Sequence, residues 1–364
     1  MCYTKKVPPP PSDYPCVPNI DSSVIANQFI QSQPAPAFRN KTLPVDTNLN
    51  VEAWEHYRHI IDPVDPTLVD SIKFGFCMGI DRSKTVSIPY TNHKSSIAEY
   101  QVIDQFIIKH YKTGAIAGPY FVNPLPVTVH PSPLQVAVSA SGKKRAVIDM
   151  SYPKGSSVND AISEEWSDMP GFTGSFKFPT HELLCRQILQ MTDPVMFITD
   201  LAAYYMQLPS DANDMPYMCF AWRGALYLHR RLPFGCRASC LHAQRVTDAV
   251  TLIYNTETQN FIAGYVDDYA SLVEKIISAA AEKALYILFA KLGLLTTPEK
   301  SMSAAKWQIF LGLLYDLINK TLELPEEKLQ RAVNMIEQWL NMDQCTKNQL
   351  ESLIGFLNHI AVVV

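Results

Sequence analysis

No run of roughly eighteen or more uninterrupted apolar residues occurs in this 364-residue chain, so nothing in it reads as a helical membrane span. The N-terminus, Met1 to Lys6 followed by prolines, lacks the apolar core of a secretory signal peptide. The eight cysteines form no Cys-x-x-Cys pair, a scatter that suits a reduced intracellular compartment. Cys236, Cys240 and His242 stand close in sequence, but no second ligand pair has the spacing of a structural zinc site. Gly142-Lys143 lacks the glycine and hydroxyl spacing of a Walker loop. A large excess of charge is also missing. The net charge of −4 argues at first sight against nucleic acid, yet such binding needs only a local positive face. Basic clusters do occur at Lys143-Lys144-Arg145, Arg230-Arg231 and Lys109-His110 with Lys112; without a motif to place them, such clusters are more often solvated surface than a binding patch.

Apolar residues make up 47% of the chain, ample for a buried core, and the length suits about two or three domains. Residues 1 to about 48 are rich in Pro, Ser and Asn with little periodicity, the composition of a disordered or extended leader. From Val51 to Lys112 the apolar spacing is helical, ending at Gly114 and Gly118-Pro119. Short extended runs follow, then Arg145 to Asp149 as a strand after a basic turn. Residues Ser151 to Asp160 have loop chemistry. A helix is expected over His181 to Gln190, and a strand over Val195 to Thr199 that runs directly into Asp200. Strand runs at Tyr217 to Trp222 and Leu226 to Leu228 precede Leu232-Pro233-Phe234-Gly235 and a helical stretch from about Ala238 to Leu252.

Two adjacent carboxylates then stand between β-type runs. Phe261 to Gly264 precedes Tyr265-Val266-Asp267-Asp268, and Tyr269 to Val273 follows. This pattern predicts a hairpin with the acids at its turn. Paired charges there are unfavourable unless something positive sits beside them, and a divalent metal is the natural candidate; an Asp-Asp turn exposed to water is the plain alternative. After it come an amphipathic helix from Ile276 to Leu292 stopped by Gly293 and two strands over Trp307 to Leu324 joined at Asn319-Lys320. Pro325-Glu326-Glu327 opens another helix. Thr346 with Gln349 forms a capping box for the last one. The apolar end at Ala361 to Val364 reads as a chain that continues into further sequence.

In this order the motifs resemble a reverse transcriptase from about Trp54 onward, closest to retrotransposon enzymes. Ser151-Tyr152-Pro153-x-Gly155-x-Ser157-Val158-Asn159-Asp160 resembles the DIRS-like, tyrosine-recombinase elements. The resemblance implies an α+β right-hand polymerase behind the disordered Pro-rich leader at 1–50. A helical N-terminal region would occupy 51–115, fingers 116–194, a ferredoxin-like palm 195–324, and a partial, truncated thumb 325–364. It implies an RNA-directed DNA polymerase that extends a primer 3′-hydroxyl with dNTPs on an RNA or DNA template. Two Mg2+ ions, with Mn2+ as a substitute, would be held by Asp200, Asp267, Asp268 and the backbone carbonyl of Leu201.

Arg145 matches the fingers arginine that grips a triphosphate, its planar fork suited to phosphate oxygens, with Lys143 or Lys144 assisting. Tyr205 occupies the sugar-gate position, where an aromatic ring leaves no room for a 2′-hydroxyl. Gln207 and Pro209 fit the same pattern. Phe234 and Gly235 match the loop that packs on the templating base and nucleotide, glycine allowing close backbone approach. Lys300 could neutralise or protonate the leaving pyrophosphate. Phe310-Leu311-Gly312 resembles the primer-grip hairpin.

The sequence departs from the family pattern at Ala203-Tyr204, where many relatives have Asp-Ala, at Cys240 in place of a proline, and at Gln135 in place of a glycine. These departures support a competing reading, a catalytically decayed or domesticated fragment that only binds nucleic acid. RNase H and recombinase segments would lie on other parts of a polyprotein. No membrane partner is expected, and the location would be intracellular, in cytoplasm or nucleus.

Overall fold

Caps, glycines and prolines in the sequence set most element boundaries in the computed structural model, which describes residues 7–32, 43–84, 86–88, 91–139, 142–163 and 178–363. In chain order, helices α1 (Ser22–Gln31), α2 (Val51–His56), α3 (Arg58–Ile61), α4 (Leu68–Phe74), α5 (Lys94–Ala98) and α6 (Tyr100–Lys112) come first. Strands β1 (Ile116–Tyr120), β2 (Leu134–Val138) and β3 (Lys144–Ile148) follow, then α7 (His181–Gln190), β4 (Pro194–Asp200), β5 (Cys219–Trp222) and β6 (Ala225–His229). Next are α8 (Arg237–Thr258), β7 (Phe261–Tyr265), β8 (Asp268–Glu274), α9 (Ser278–Leu292) and β9 (Met302–Ala305). The chain closes with β10 (Trp307–Phe310), β11 (Leu313–Asp316), β12 (Thr321–Glu323), α10 (Glu326–Leu340) and α11 (Lys347–Ile360). It divides into two units. The first comprises Met1–Phe176, Ala203–Ala249 and Ala290–Leu295; the second comprises Lys177–Ala202, Val250–Phe289 and Thr296–Val364.

The first unit holds an antiparallel sheet in the order β1-β6-β5 and the separate hairpin β2-β3. Its described N-terminal residues correct the expectation of a disordered leader. Asp21 caps α1, whose Ile25 and Phe29 are buried in one core cluster with Ala117, Tyr120, Cys219 and Leu228. Upstream, Asn19 acts as a strand partner for β1: its amide donates to the Ile116 carbonyl at 2.9 Å, and its side-chain oxygen accepts from the Gly118 amide. The Tyr14 and Tyr227 hydroxyls meet at 2.8 Å in the interior. Pro, Ser and Asn suggest disorder because they carry little apolar periodicity. Here a few well-placed apolar and hydrogen-bonding residues suffice, since β1 and β6 supply the surface to bury them against.

The stretch Val51–Lys112 is helical only in part. Gly75 (φ 92°) ends α4, and an added Cβ there would lie 2.5 Å from the Ser210 carbonyl oxygen. Phe76 then pairs by its backbone with Pro209 and Asp211 instead of continuing the helix.

The second unit is built on a four-stranded antiparallel sheet ordered β7-β8-β4-β9. With α8 between β4 and β7, and α9 between β8 and β9, the chain order β-α-β-β-α-β with this strand order is ferredoxin-like. Strand β4 is buried along its whole length, as expected for its unbroken apolar run Val195 to Ile198. Its Met196 and Ile198 share a core with Ala270 and Leu272 of β8, Leu184 and Ile188 of α7, and Phe310 and Tyr315. The region Trp307 to Leu324 is a three-stranded meander, β10-β11-β12, rather than a pair. The first turn, within the Phe310-Leu311-Gly312 motif, is the two-residue link Leu311-Gly312, with both φ angles positive at 48° and 79°. That is the primed geometry tight hairpins favour. The capping box at Thr346 and Gln349 is present as expected.

Candidate active site

Strands β4 and β8 pair in a register that places Asp200 directly opposite Asp268. Side chains opposite each other on neighbouring antiparallel strands share a face, so both carboxylates stand at the same end of the same side of the sheet. The β7-β8 hairpin closes over Val266-Asp267, with Tyr265 facing Asp268 across it. Asp267 therefore lies in the turn, as the sequence suggested for the pair, while Asp268 is the first residue of a strand. Val266 has φ 53° and is buried. A β-branched residue in the left-handed region is strained, on the order of 1–3 kcal/mol. Packing holds the turn in that state, and the Leu201 amide donates to the Asp267 carbonyl at 3.0 Å.

Three neighbouring acids raise the local negative potential. Burial first, and then the charges of Asp267 and Asp200, push the Asp268 carboxyl up to about 6, against a smaller opposing effect of Lys300. Lys300 stands on the same site. Its ammonium donates to both Asp200 carboxylate oxygens, at 2.9 and 3.0 Å, which holds its own pKa above the usual lysine value. Thr296 bridges to Leu201 and the Thr297 amide donates to the Asp200 carbonyl at 2.8 Å, so the turn that carries Lys300 is pinned to the end of β4.

The oxygen donors suit a hard divalent cation. As they stand, no three Asp, Glu, His or Cys side chains among the described residues converge closely enough to hold one, and both Asp200 oxygens are engaged by Lys300.

The other candidate residues of the second unit form its β10-β11 hairpin. Phe310 is buried in the core, so its part is to anchor the hairpin rather than to touch a ligand. Gly312 lies under the α10 lysine: an added Cβ would fall 1.9 Å from the Lys328 Nζ.

The first unit holds the remaining candidates. In the Tyr204-Tyr205 pair the roles separate. Tyr204 is buried, its hydroxyl 3.0 Å from the Ala243 carbonyl, whereas Tyr205 is half-buried with its ring 4.8 Å from that of Phe234. Ala203 before them adopts φ 44° and is exposed. Gln207 is a brace: its side chain exchanges two hydrogen bonds with the Leu295 backbone. Gly235 (φ 104°) passes so close to β3 that an added Cβ would fall 1.9 Å from the Ile148 carbonyl oxygen. Arg145 is exposed on β3, and Lys143 is exposed just before that strand. Lys144, the first residue of β3, pairs with Glu99 at 2.6 Å.

One organising residue lies in the Ser151–Asp160 segment, where the sequence assigns it no role of its own. The buried Asn159 side chain donates to the Ser151 hydroxyl at 2.9 Å and the Gly235 carbonyl at 2.8 Å, and accepts from the Arg237 amide at 2.8 Å. It thereby ties the Leu232–Gly235 loop and the start of α8 to the end of β3. The only sequence signal for it was an Asn set among small residues after a Gly turn.

No protein-family model matches the sequence, and no curated protein does. Solved structures do match. A foamy viral protease–reverse transcriptase in complex with double-stranded DNA has a TM-score of 0.59 at 17% identity, with 97% of this chain and 54% of that one covered. The fold is reverse transcriptase-like. A second such complex with double-stranded DNA gives a TM-score of 0.54 at 18% identity, covering 93% of this chain and 62% of the other. A foamy viral protein bound to an RNA/DNA hybrid gives 0.56 at 15% identity, covering 97% of this chain and 42% of the other. This chain thus spans less than two thirds of the length of each of these reverse transcriptase structures. At these identities the likeness establishes the right-hand polymerase fold. It leaves the DIRS-like affinity to the Ser151–Asp160 motif. No described helix is long and apolar enough to cross a membrane.

Proposed function

We propose that this chain is the polymerase part of a retroelement reverse transcriptase, extending a primer 3′-hydroxyl with dNTPs on an RNA or DNA template. The observation that carries the proposal is the register of Asp200 opposite Asp268, with Asp267 in the adjoining turn, at the end of the buried central strand of a ferredoxin-like sheet. In a reverse transcriptase-like fold, that is where a carboxylate cluster has a chemical use. When bound there, Mg2+ (or Mn2+) would neutralise phosphate charge and lower the pKa of the attacking hydroxyl.

The protein's own groups have separable tasks in this reading. Asp200, Asp267 and Asp268 supply oxygen ligands, and the Leu201 carbonyl is the candidate backbone ligand beside them. Arg145, exposed on β3, and Lys143, exposed just before that strand, supply a cationic fork and a point charge for triphosphate oxygens. Tyr205, propped by Phe234, is the candidate sugar gate. Gly235 lets the loop backbone lie flat on β3, and Asn159 keeps it there. Lys300 supplies positive charge next to the reacting phosphates. The resemblance of the Ser151–Asp160 segment supports a DIRS-like affinity.

The deciding experiment is Mg2+-dependent dNTP incorporation on an RNA template with a DNA primer, run beside Asp267→Asn. Extension by the wild type that disappears in the variant, with primer–template binding retained, is the expected result. A folded wild-type protein that binds primer–template without extending it would replace this reading with the binding-only fragment, to which the alanine at position 203 also points. Extension that persists near wild type in the variant would remove the carboxylates from the chemistry.

A further inference from the structure

Lys300, which the sequence offers as a group for the leaving pyrophosphate, makes a contact of a different kind in the structure. Its ammonium sits between both oxygens of Asp200, at 2.9 and 3.0 Å, a bidentate contact from a cation to a carboxylate. The two side chains are unlike in environment. That of Asp200 is 10% exposed and that of Lys300 56% exposed, so the carboxylate is held in place while the lysine can swing into water at little loss. The turn bearing the lysine is fixed independently of this contact, through Thr297 on the Asp200 carbonyl and Thr296 on Leu201. Lys300 can therefore leave the carboxylate without the backbone moving, and it stays tethered within reach when it does.

From this geometry we infer that Lys300 is an internal counter-ion for Asp200, one that occupies the carboxylate in the metal-free protein and must be released before Asp200 can act as a ligand. The inference rests on the reading of these aspartates as metal ligands. It accounts for two facts together. Three crowded acids are tolerated without a metal because a tethered ammonium partly compensates them. Among the described residues no three donors converge on a common point, and both Asp200 oxygens face the lysine. It also gives Lys300 two successive positions: on Asp200 before loading and free afterwards to meet an incoming phosphate. A ligand whose binding-competent state is only partly populated binds more weakly by that fraction, so the lysine lowers the apparent metal affinity of the site.

The test measures Mn2+ binding directly, by the loss of the free-ion electron paramagnetic resonance signal, with no nucleotide or primer–template present. Lys300→Met and Lys300→Gln should each bind Mn2+ about two- to fivefold more tightly, the scale of a partly exposed ion pair. Lys300→Arg, which keeps the counter-ion, should stay near wild type. Lys306→Met is the control for net charge, because Lys306 pairs with Asp193 beside the opposite end of β4; its affinity should not change. Unchanged or weaker binding in both neutral variants overturns the inference while leaving the carboxylate reading intact. Equal tightening in Lys306→Met overturns it as well, since net charge alone would then explain the effect. Wild-type Mn2+ binding that Asp268→Asn does not weaken would remove the metal reading itself, and this inference with it.

Discussion

Acidification should destabilise the first unit through histidines buried in neutral form. His229 on β6 is fully buried, and neither ring nitrogen has a hydrogen-bond partner among the described residues. Phe106 and Phe220 lie against its ring, with centroids 6.3 and 5.7 Å away. Burial, and secondarily His110, lowers its pKa from 6.5 to about 3. His110 is itself buried with an unpartnered Nδ1, and burial, then Lys109, lowers it to about 4. A histidine whose folded pKa is depressed is neutral in the fold while its unfolded counterpart takes up a proton. Stability is therefore fully present above about pH 6.5 and is lost as pH falls below it. At about 1.4 kcal/mol per pH unit, a drop to about pH 5 removes roughly 2 kcal/mol for each histidine and roughly 4 for the pair. That is a large share of a typical folding stability of about 5–15 kcal/mol. Urea denaturation followed by tryptophan fluorescence at pH 7.5 and 5.0 should show a clear fall in midpoint. His242, which burial also lowers to about 3, adds to the same fall; in His229→Phe, which fits an aromatic surrounding, the fall should shrink by only that one histidine's roughly 2 kcal/mol. A midpoint that does not change between the two pH values, or an identical fall in His229→Phe, would refute the assignment of a neutral buried imidazole.

The remaining predictions concern the loop, the gate and the leader. Gly235→Ala should destabilise by about 2–5 kcal/mol, combining a left-handed backbone with an overpacked contact on Ile148. Gly224→Ala, at φ 79° with open space around it, should lose only about 1–2 kcal/mol; equal midpoint shifts in denaturation would show that the close approach is unimportant. Tyr205→Ala should relax the preference for dNTP over NTP by at least about tenfold, the scale at which a pocket wall discriminates, and an unchanged ratio in single-nucleotide extension would exclude it as the gate. Phe29→Ala should cost about 3–5 kcal/mol as a buried aromatic deletion, whereas a dispensable leader would give no shift in thermal midpoint.

What the sequence determined by itself was local. The apolar run into Asp200, the β-type runs around Asp267-Asp268 and the Pro325 and Thr346 helix starts each depend on residues within one turn or one hairpin. They lie in the structure close to where the pattern puts them. The fold was suggested by the resemblance of the ordered motifs to a reverse transcriptase, and by no single element. The leader misled because composition reports only average burial, whereas Ile25, Phe29 and Asn19 find their partners about 90 or more residues away. Tertiary structure alone decided which of two adjacent tyrosines is core, which of two adjacent lysines is already paired, and that Asn159 braces the Gly235 loop. It also decided that Asp200 faces Asp268 and that Lys300 reaches back across 100 residues to hold it. A strand register and a side-chain contact between distant segments are set by packing of the whole sheet, and no single stretch of sequence contains the surface that selects them.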